Sequence, residues 1–371
     1  MILKKIETYF LELIQGKRKG PMAQIAKTFL RFLSWFYKLI ISCRNWAFDH
    51  GCFKQYHAPV PVVMSIGNIV VGGTGKTPVT LMIAQEFYEE FLIAILSRGY
   101  RSKAERLPSP VVLSNGKGPM HAACYCGDEP FLLSQNLPKA HVIVGKNRHL
   151  SSKMAVKAGA QLILLDDGMQ HRYVARDYEI VVMDALDPFG QGFYLPRGFL
   201  RESISSLSRA DIIILNHVYD KDRFFTIKDE ISKFTRAPLV GTRMEVAEIL
   251  DLQGRSIADM KGKRVGVFCA IARPEYFCRT VTQVGAEIVD TKFIPDHRSF
   301  TNEELLHFCE RAKNHGAEWI LCTEKDVVKL DKTALGELNI AWFKMRLTIV
   351  EGQSSWDHFT QKTKQALRRR M

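Results

Sequence analysis

The sequence predicts an α/β protein: a doubly wound parallel sheet, a second and smaller α/β domain, and an N-terminal amphipathic helical segment. Short and nearly continuous apolar runs recur along the chain, as expected for parallel strands that are buried on both faces. Helical stretches separate these runs, and strand–helix–strand repetition is typical of doubly wound sheets. Ligands are therefore expected at the carboxyl ends of the strands.

The first set of alternating elements ends near Val218. Helices are predicted at 76–90, with Pro78 tolerated in the first turn, and at 147–159. The apolar runs predict strands at 60–66, 91–97, 141–145, 160–168, 178–185 and 210–217.

After Val218 the composition becomes more polar, and 219–234 is predicted as a helical connector. A second alternating set follows, with strands at 262–272, 287–294 and 318–323 and helices at 273–286 and 301–316. Three parts are predicted: a membrane-interface helical segment at 1–55, a core domain at 56–225 and a smaller α/β domain at 226–371. A cleft is expected between the two domains.

The chain has 371 residues, a length that suits two domains, and a net charge of +13. This charge implies an acidic partner, either a nucleic acid, an anionic membrane surface or a polyanionic substrate. Ten basic and three acidic residues precede Pro59, so that segment alone carries +7. Outside the N-terminal segment, the sequence has no motif of basic and aromatic residues typical of nucleic-acid recognition, so no nucleic-acid partner is expected. Eight scattered cysteines without paired spacing indicate reduced thiols.

The N-terminal basic segment is also apolar and rich in aromatic residues over 26–46. Arg31 and Lys38 interrupt what would otherwise be a membrane span, and no cleavage site of a signal peptide follows. On a helix the polar residues form one stripe, made of Lys27, Arg31, Ser34 and Lys38. This pattern favours a helix lying in a membrane interface. The alternative is a core helix whose basic stripe faces water.

A glycine-rich loop lies between the first strand and the first helix of the core domain. It predicts a phosphate-binding loop, or P-loop, because the glycines direct backbone N–H groups at phosphate oxygens beside a helix N-terminus. Lys76 is predicted to reach the terminal phosphates and Thr77 to bind Mg²⁺. Val70 departs from the usual pattern, which has glycine there, and a structural glycine turn is the alternative. The predicted nucleotide-binding residues are Gly72, Gly73, Thr74, Gly75, Lys76 and Thr77.

Two adjacent acids, Asp166 and Asp167, end the apolar run at 162–165. One carboxylate at this edge of the sheet can hold Mg²⁺ or its water. A cap and a turn would be the alternative, which the nearby polar residues Gln170 and His171 make less attractive.

The remaining candidates are ambiguous on spacing alone. Asp128 and Glu129 precede a proline at a helix start, where acids complement the helix dipole. Three arginines on glycine-containing loops are either phosphate clamps or solvated side chains, namely Arg98, Arg197 and Arg201. Asp296 and His297 form a carboxylate–histidine pair that could orient a base, but a single pair is a weak signal.

Taken together, these motifs resemble the tetraacyldisaccharide 4′-kinase family, the lipid A 4′-kinases. The resemblance spans about residues 30 to 330, and the motifs occur in the family's order. The family also generally lacks glycine at the position of Val70. Arg197 departs from the family's motif, so no role is transferred to it. The matching runs are 65–78, 97–100, 127–130, 166–171, 188–190, 195–202, 296–297 and 323–326.

The resemblance implies that ATP phosphorylates the 4′-hydroxyl of a tetraacylated glucosamine disaccharide 1-phosphate. It implies Asp128 as the base, helped by His297, with Arg201 stabilising charge in the transition state and Lys76 holding the β- and γ-phosphates. The implied candidates around Mg²⁺ are Thr77, Glu129, Asp166, Asp167 and Gln170. A base and its helper on different domains would make catalysis depend on closure of the cleft.

The resemblance also places the protein at the cytoplasmic face of the inner membrane, peripheral or monotopic. A monomer is expected. Its acylated substrate leaves a bilayer at a cost of about 0.8 kcal/mol for each CH₂ group, so the enzyme must reach the membrane. A P-loop kinase of a soluble metabolite is the first alternative. A membrane-associated ATP switch is the second, although such switches carry lysine where this chain has Val71.

Overall fold

The computed structural model describes residues 9–271, 274–295, 300–330, 335 and 338–371. Its twelve strands are β1 Val62–Gly67, β2 Ile93–Ser97, β3 Val111–Asn115, β4 His141–Val144, β5 Leu162–Asp166, β6 Tyr178–Asp184, β7 Ile212–Asn216, β8 Leu239–Asp251, β9 Arg264–Cys269, β10 Glu287–Phe293, β11 Trp319–Thr323 and β12 Ile340–Glu351.

The α-helices used below are α1 Pro21–Asp49, α2 Lys76–Phe87, α3 Ala123–Cys126, α4 Asp128–Asn136, α5 Arg148–Lys157, α6 Lys221–Ser232, α7 Pro274–Gln283, α8 Asn302–Asn314, α9 Glu324–Val327 and α10 Gln353–Arg370. Each strand and helix predicted from the sequence coincides with one of these elements within a few residues.

All twelve strands join in one sheet, in the order β10-β9-β11-β12-β8-β7-β6-β1-β5-β2-β4-β3. The pairs are parallel except β3 with β4 and β8 with β12. We call β1–β7 with their helices the P-loop half, and β9–β12 with theirs the C-terminal half. The predicted α/β class with a mostly parallel sheet is confirmed, and the antiparallel β8–β12 pair joins the two halves.

Three strands and three helices were not predicted, namely β3, β8, β12, α10 and the four-residue helices α3 and α9. Strands β8 and β12 are long and only partly buried, so polar and apolar residues mix along them instead of forming an apolar run. Strand β3 closes one edge of the sheet in the antiparallel sense. These strands lack the pattern of parallel strands buried on both faces.

Helix α10 packs against the P-loop half although it follows β12 in the chain. Its apolar residues Trp356, Phe359 and Leu367 share a core with Met64 of β1 and Ile83 of α2. Lys364 pairs with Glu86 and Glu90 at 3.0 Å each, which ties α10 to α2 and to the turn after it. The domain limits predicted from the sequence remain a prediction. Helix α10 lies within the range predicted as the smaller domain, 226–371, but it packs into the core of the domain predicted at 56–225.

Helix α1 presents its apolar residues to the outside of the molecule. Ile25 and Ile40 are 64% and 65% exposed, and the rings of Phe29, Phe32 and Trp35 are exposed between them. The alternative of a core helix with its basic stripe facing water is therefore wrong. The outer face, with side chains more than a third exposed, comprises Met22, Ile25, Phe29, Phe32, Leu33, Trp35, Phe36, Leu39, Ile40 and Trp46.

The predicted polar stripe of α1 also needs a correction, because Ser34 faces the protein. Its hydroxyl donates to the carbonyl of Tyr194 at 2.8 Å and accepts from the backbone N–H of Arg197 at 3.0 Å. The helix thus docks partly through polar contacts and buries Leu30 and Phe48, while most of its other large apolar side chains lie outside. In the described part of the chain, no helix combines the length and apolarity needed to cross a membrane.

Candidate active site

The glycine-rich loop connects β1 to α2 at the carboxyl edge of the sheet. Cβ atoms added at Gly72 or Gly73 would meet no atom within 4 Å, so the backbone there borders open space. Gly75 has φ +83° and immediately precedes α2, where a side chain would collide with the amide of Asn216. The loop therefore has the exposed backbone and the helix start that a phosphate site requires.

Two asparagines hold this loop in place. Asn216, at the end of β7, donates to the carbonyl of Thr74 at 2.7 Å. Asn68, directly after β1, donates through its side-chain amide to the Thr74 hydroxyl at 3.1 Å. Thr74 is consequently buried and serves as the fixed point of the loop, whereas Thr77 is partly exposed on the first turn of α2.

Lys76 and Arg201 converge on the carboxylate of Asp167. The ammonium of Lys76 lies 3.4 Å from Asp167 Oδ1, and Arg201 Nη1 donates to the same oxygen at 3.0 Å. Burial opposes ionisation of Asp167, but the two cations outweigh it and hold its pKa at about 2. Asp167 has φ +50°, so the turn after β5 directs it away from its neighbour.

Asp166 has different surroundings from those of Asp167. It is buried, accepts a hydrogen bond from Ser97 at 2.8 Å, and lies 3.4 Å from the hydroxyl of Thr80. Burial raises the pKa of its carboxyl group, against the hydrogen bond from Ser97. The buried guanidinium of Arg148 donates to the carbonyl of Asp166 at 2.9 Å and fixes the end of β5.

Gln170 lies beside the loop with an unused acceptor. Its amide nitrogen donates to the carbonyl of Asn68 at 2.9 Å. Its oxygen Oε1 is buried and has no hydrogen-bond partner within the portion of the chain that the structure describes. Because buried polar atoms are normally satisfied, this oxygen is suited to a ligand that the protein alone does not supply. A hydrated cation or a phosphate-bound water has the required chemistry.

Arg201 is held by the segment that runs over the glycine loop. Its backbone N–H donates to the carbonyl of Ile69 at 2.8 Å, while Val71 donates to the carbonyl of Phe199 at 2.7 Å. The next residue, Glu202, is fully buried and accepts from Arg209 at 2.6 Å and from Asn45 of α1 at 3.1 Å. The segment that carries Arg201 is thus attached to both α1 and the P-loop.

Asp128 is the first residue of α4 and pairs with a residue of the C-terminal half. The ammonium of Lys329 lies 2.7 Å from Asp128 Oδ2, and both side chains are mostly buried. Glu129 follows Asp128 and is exposed on the same helical turn. His297, with its neighbour Asp296, lies outside the described residues.

The structure therefore brings Lys76, Asp167 and Arg201 into direct contact and places Gln170 beside the same loop. Within the described ranges there is no cluster of three or more histidine, cysteine or acidic side chains arranged to hold a metal. The sequence-based interpretation missed Asn68, Arg148, Asn216 and Lys329. The position of Asn216 at the end of a buried strand was a usable signal, whereas the pairing of Lys329 with Asp128 joins distant parts of the chain and left no local signal.

Comparisons with known proteins identify the family of this chain. The sequence model of the family described as tetraacyldisaccharide-1-P 4′-kinase matches residues 26–364. A tetraacyldisaccharide 4′-kinase of Halothermothrix orenii is 31% identical over 345 residues, which cover 89% of each chain. That of Anaeromyxobacter sp. strain K is 38% identical over 323 residues, 85% of this chain and 84% of the other.

A solved structure is similar over nearly the whole chain. The crystal structure of LpxK from Aquifex aeolicus in complex with ATP superposes with a TM-score of 0.72 and 26% identity. The similarity covers 91% of this chain and 99% of that one. From the family match and these relatives, the chain belongs to the tetraacyldisaccharide-1-P 4′-kinase family.

Proposed function

We propose that this protein uses ATP and Mg²⁺ to phosphorylate the 4′-hydroxyl of a tetraacylated glucosamine disaccharide 1-phosphate. The observation that carries the proposal is the convergence of Lys76 and Arg201 on Asp167 under an open glycine loop. Phosphoryl transfer needs positioned positive charge more than covalent help from the protein, and this arrangement supplies it. Family membership supports the choice of substrate.

The nucleotide phosphates would be held by the backbone from Gly72 to Thr77, with Lys76 on the terminal phosphates. Arg201 would neutralise charge that develops during transfer, because it already lies 3.0 Å from Asp167 at the edge of the loop. Mg²⁺, when bound, would neutralise charge on the β- and γ-phosphates. The residues proposed to hold it are Thr77, Glu129, Asp166, Asp167 and Gln170.

Asp128 would accept the proton of the attacking 4′-hydroxyl. In the reaction a bond forms between the 4′-oxygen and the γ-phosphorus, the bond to the bridging oxygen breaks, and ADP leaves. Asp128 is a carboxylate at the start of α4 that contacts the C-terminal half, which supports a role as base for an acceptor bound between the two halves. His297 stays a predicted helper.

We also propose that α1 binds the cytoplasmic face of the inner membrane. Its outer face exposes apolar and aromatic side chains from Met22 to Trp46, beside basic residues that suit anionic headgroups. An enzyme anchored in this way meets an acylated substrate without extracting it from the bilayer. The monomeric state stays a prediction.

The test is incubation of the purified full-length protein with ³²P-labelled ATP, Mg²⁺ and the acylated disaccharide 1-phosphate in detergent micelles. A labelled lipid is expected, and Asp128→Asn should lower its rate of formation by about 10²-fold or more while ATP binding is retained. Asp229→Asn, an exposed carboxylate on α6, is the matched control and should be neutral.

Two results would contradict the proposal. Transfer of label to a soluble sugar but not to the lipid would favour a kinase of soluble metabolites. Full activity of Asp128→Asn would remove Asp128 as the base while leaving the substrate assignment intact.

A further inference from the structure

The pairing of Lys329 with Asp128 is unusual because the ammonium is enclosed. The side chain of Lys329 is only 9% exposed and that of Asp128 is 15% exposed. A lysine in such a position is stable only when its charge is compensated. Among the described residues, Asp128 is the only acidic side chain within ion-pairing distance of the Lys329 ammonium.

The ion pair with Asp128 leaves most of the hydrogen-bonding capacity of Lys329 unfilled. The ammonium nitrogen is buried, and Asp128 Oδ2 at 2.7 Å compensates its charge and can take at most one of its N–H donors. Across the residues that the structure describes, no other acceptor takes its N–H donors. An ammonium has three donors, and leaving them unsatisfied inside a protein is costly. The site therefore lacks an acceptor, and an anionic oxygen is the acceptor that would best match the charge.

The chain around Lys329 is built to hold it in place. Thr323 caps α9, and its hydroxyl donates to the buried carboxylate of Asp326 at 2.6 Å. Asp326 in turn accepts from the backbone N–H of Ala270, after β9, at 3.2 Å. Lys329 donates its own backbone N–H to the carbonyl of Asp326 at 3.0 Å. The short motif at 323–326 thereby fixes the turn that carries Lys329.

A second contact holds this turn against the P-loop half. Asn136, the last residue of α4, donates to Glu324 of α9 at 3.1 Å. Asp128 is the first residue of the same α4. Both ends of α4 therefore meet the α9 region, one through an amide and the other through the buried ion pair. This arrangement places an ammonium from the C-terminal half beside the carboxylate proposed as the base.

We propose that Lys329 binds a phosphate oxygen between the P-loop half and the C-terminal half and positions the carboxylate of Asp128. The inference rests on the proposed function and adds a residue to it. The phosphate belongs either to the terminal group of ATP or to the disaccharide 1-phosphate, and the unused N–H donors suit both. The ion pair holds one oxygen of Asp128 and leaves the other to face the acceptor hydroxyl.

The test compares Lys329→Met, Lys329→Arg and the wild-type protein, with kcat and both KM values measured in micelles. If the ligand is the terminal phosphate of ATP, Lys329→Met should lower kcat by about 10²-fold, as loss of one donor to a transferring group does. If it is the lipid phosphate, the KM for lipid should rise at least tenfold while kcat is kept. Lys329→Arg should recover part of either loss.

Asn136→Ala is the matched control, since it loses the neighbouring contact between α4 and α9 but keeps the ammonium. Unchanged kcat and KM values in Lys329→Met would overturn the proposal, and so would an equal loss in Asn136→Ala. If Lys329→Met does not fold, the same comparison is made with Lys329→Gln. If the wild-type protein labels no lipid, the proposed function has failed, and weaker binding of ATP by Lys329→Met in calorimetry would still support the phosphate site.

Discussion

The surroundings of His171, beside the proposed active site, shift the pKa of its imidazole. It ends the motif that contains Asp166 and Asp167 and is partly buried near several arginines. Burial, reinforced by the charges of Arg148 and Arg176, lowers the pKa of its imidazole to about 4. The folded protein therefore keeps this ring neutral where the unfolded chain protonates it.

This depressed pKa predicts a loss of stability in mild acid. The unfolded chain binds the proton near pH 6.5 and the folded protein only near pH 4, so stability falls as the pH drops through that window. Between pH 7 and pH 5, His171 should cost about 2 kcal/mol of unfolding free energy. Urea unfolding of His171→Gln should show a flatter pH dependence than the wild-type protein.

The matched control is His358→Gln, which replaces an exposed histidine on α10. Its unfolding free energy should keep the wild-type pH dependence. An identical slope for wild type and His171→Gln would show that other groups cause the acid sensitivity.

At the residue scale, the positions of the predicted site residues could be anticipated where a local motif fixes them, and their roles stay predictions. Lys76, Asp167 and Gln170 each stand next to an element whose end could be predicted, and the structure places them at one edge of the sheet. Arg201 depended on the family resemblance, because a loop arginine alone is ambiguous. Lys329 and Asn68 act through contacts that sequence spacing does not determine.

At the element scale, the least expected feature is α10, which completes the core of the P-loop half. Trp356 and Phe359 are each 5% exposed and pack with residues of β1 and α2. The helix also carries Arg368 and Arg370, which pair with Glu90 and Asp177 of the P-loop half. Its packing against the P-loop half was not predictable, because an amphipathic pattern does not say which part of the sheet a helix covers.

This packing predicts a large effect of shortening Trp356. Trp356→Ala removes a buried aromatic side chain and leaves a cavity between α10 and the sheet, so unfolding free energy should fall by about 3–5 kcal/mol. Trp35→Ala is the matched control, because that ring is exposed on α1 and its loss should have little effect in detergent-free buffer. Equal urea midpoints for the two variants would mean that α10 does not contribute to the core.

At the scale of the whole molecule, the sequence predicted two α/β units and the structure joins them in one sheet. The connection depends on the pairing of β8 with β12. These strands were not predicted because polar and apolar residues mix along them. Asp128 with Lys329, and Asn136 with Glu324, link the halves a second time beside the proposed active site. Contacts of this kind arise only once the chain is folded.

The distribution of charge and apolar surface predicts how the whole protein binds membranes. The net charge of +13 should attract vesicles that contain anionic phospholipid, and this attraction weakens with salt. At 1 M salt the Debye length is about 3 Å, compared with about 10 Å at 0.1 M. The proposed insertion of the outer face of α1 would not depend on that screening, so part of the binding should remain at high salt.

The measurement is sedimentation of the full-length protein with anionic vesicles at both salt concentrations. Replacing Phe32 and Trp35 by serine should abolish the binding that remains at 1 M salt and weaken binding at 0.1 M. Phe225→Ser, on the exposed face of α6, is the matched control and should bind as the wild type does. Complete release of the wild-type protein at 1 M salt would mean that charge alone holds it, because aromatic side chains that enter the acyl region of a bilayer stay bound when electrostatic attraction is screened.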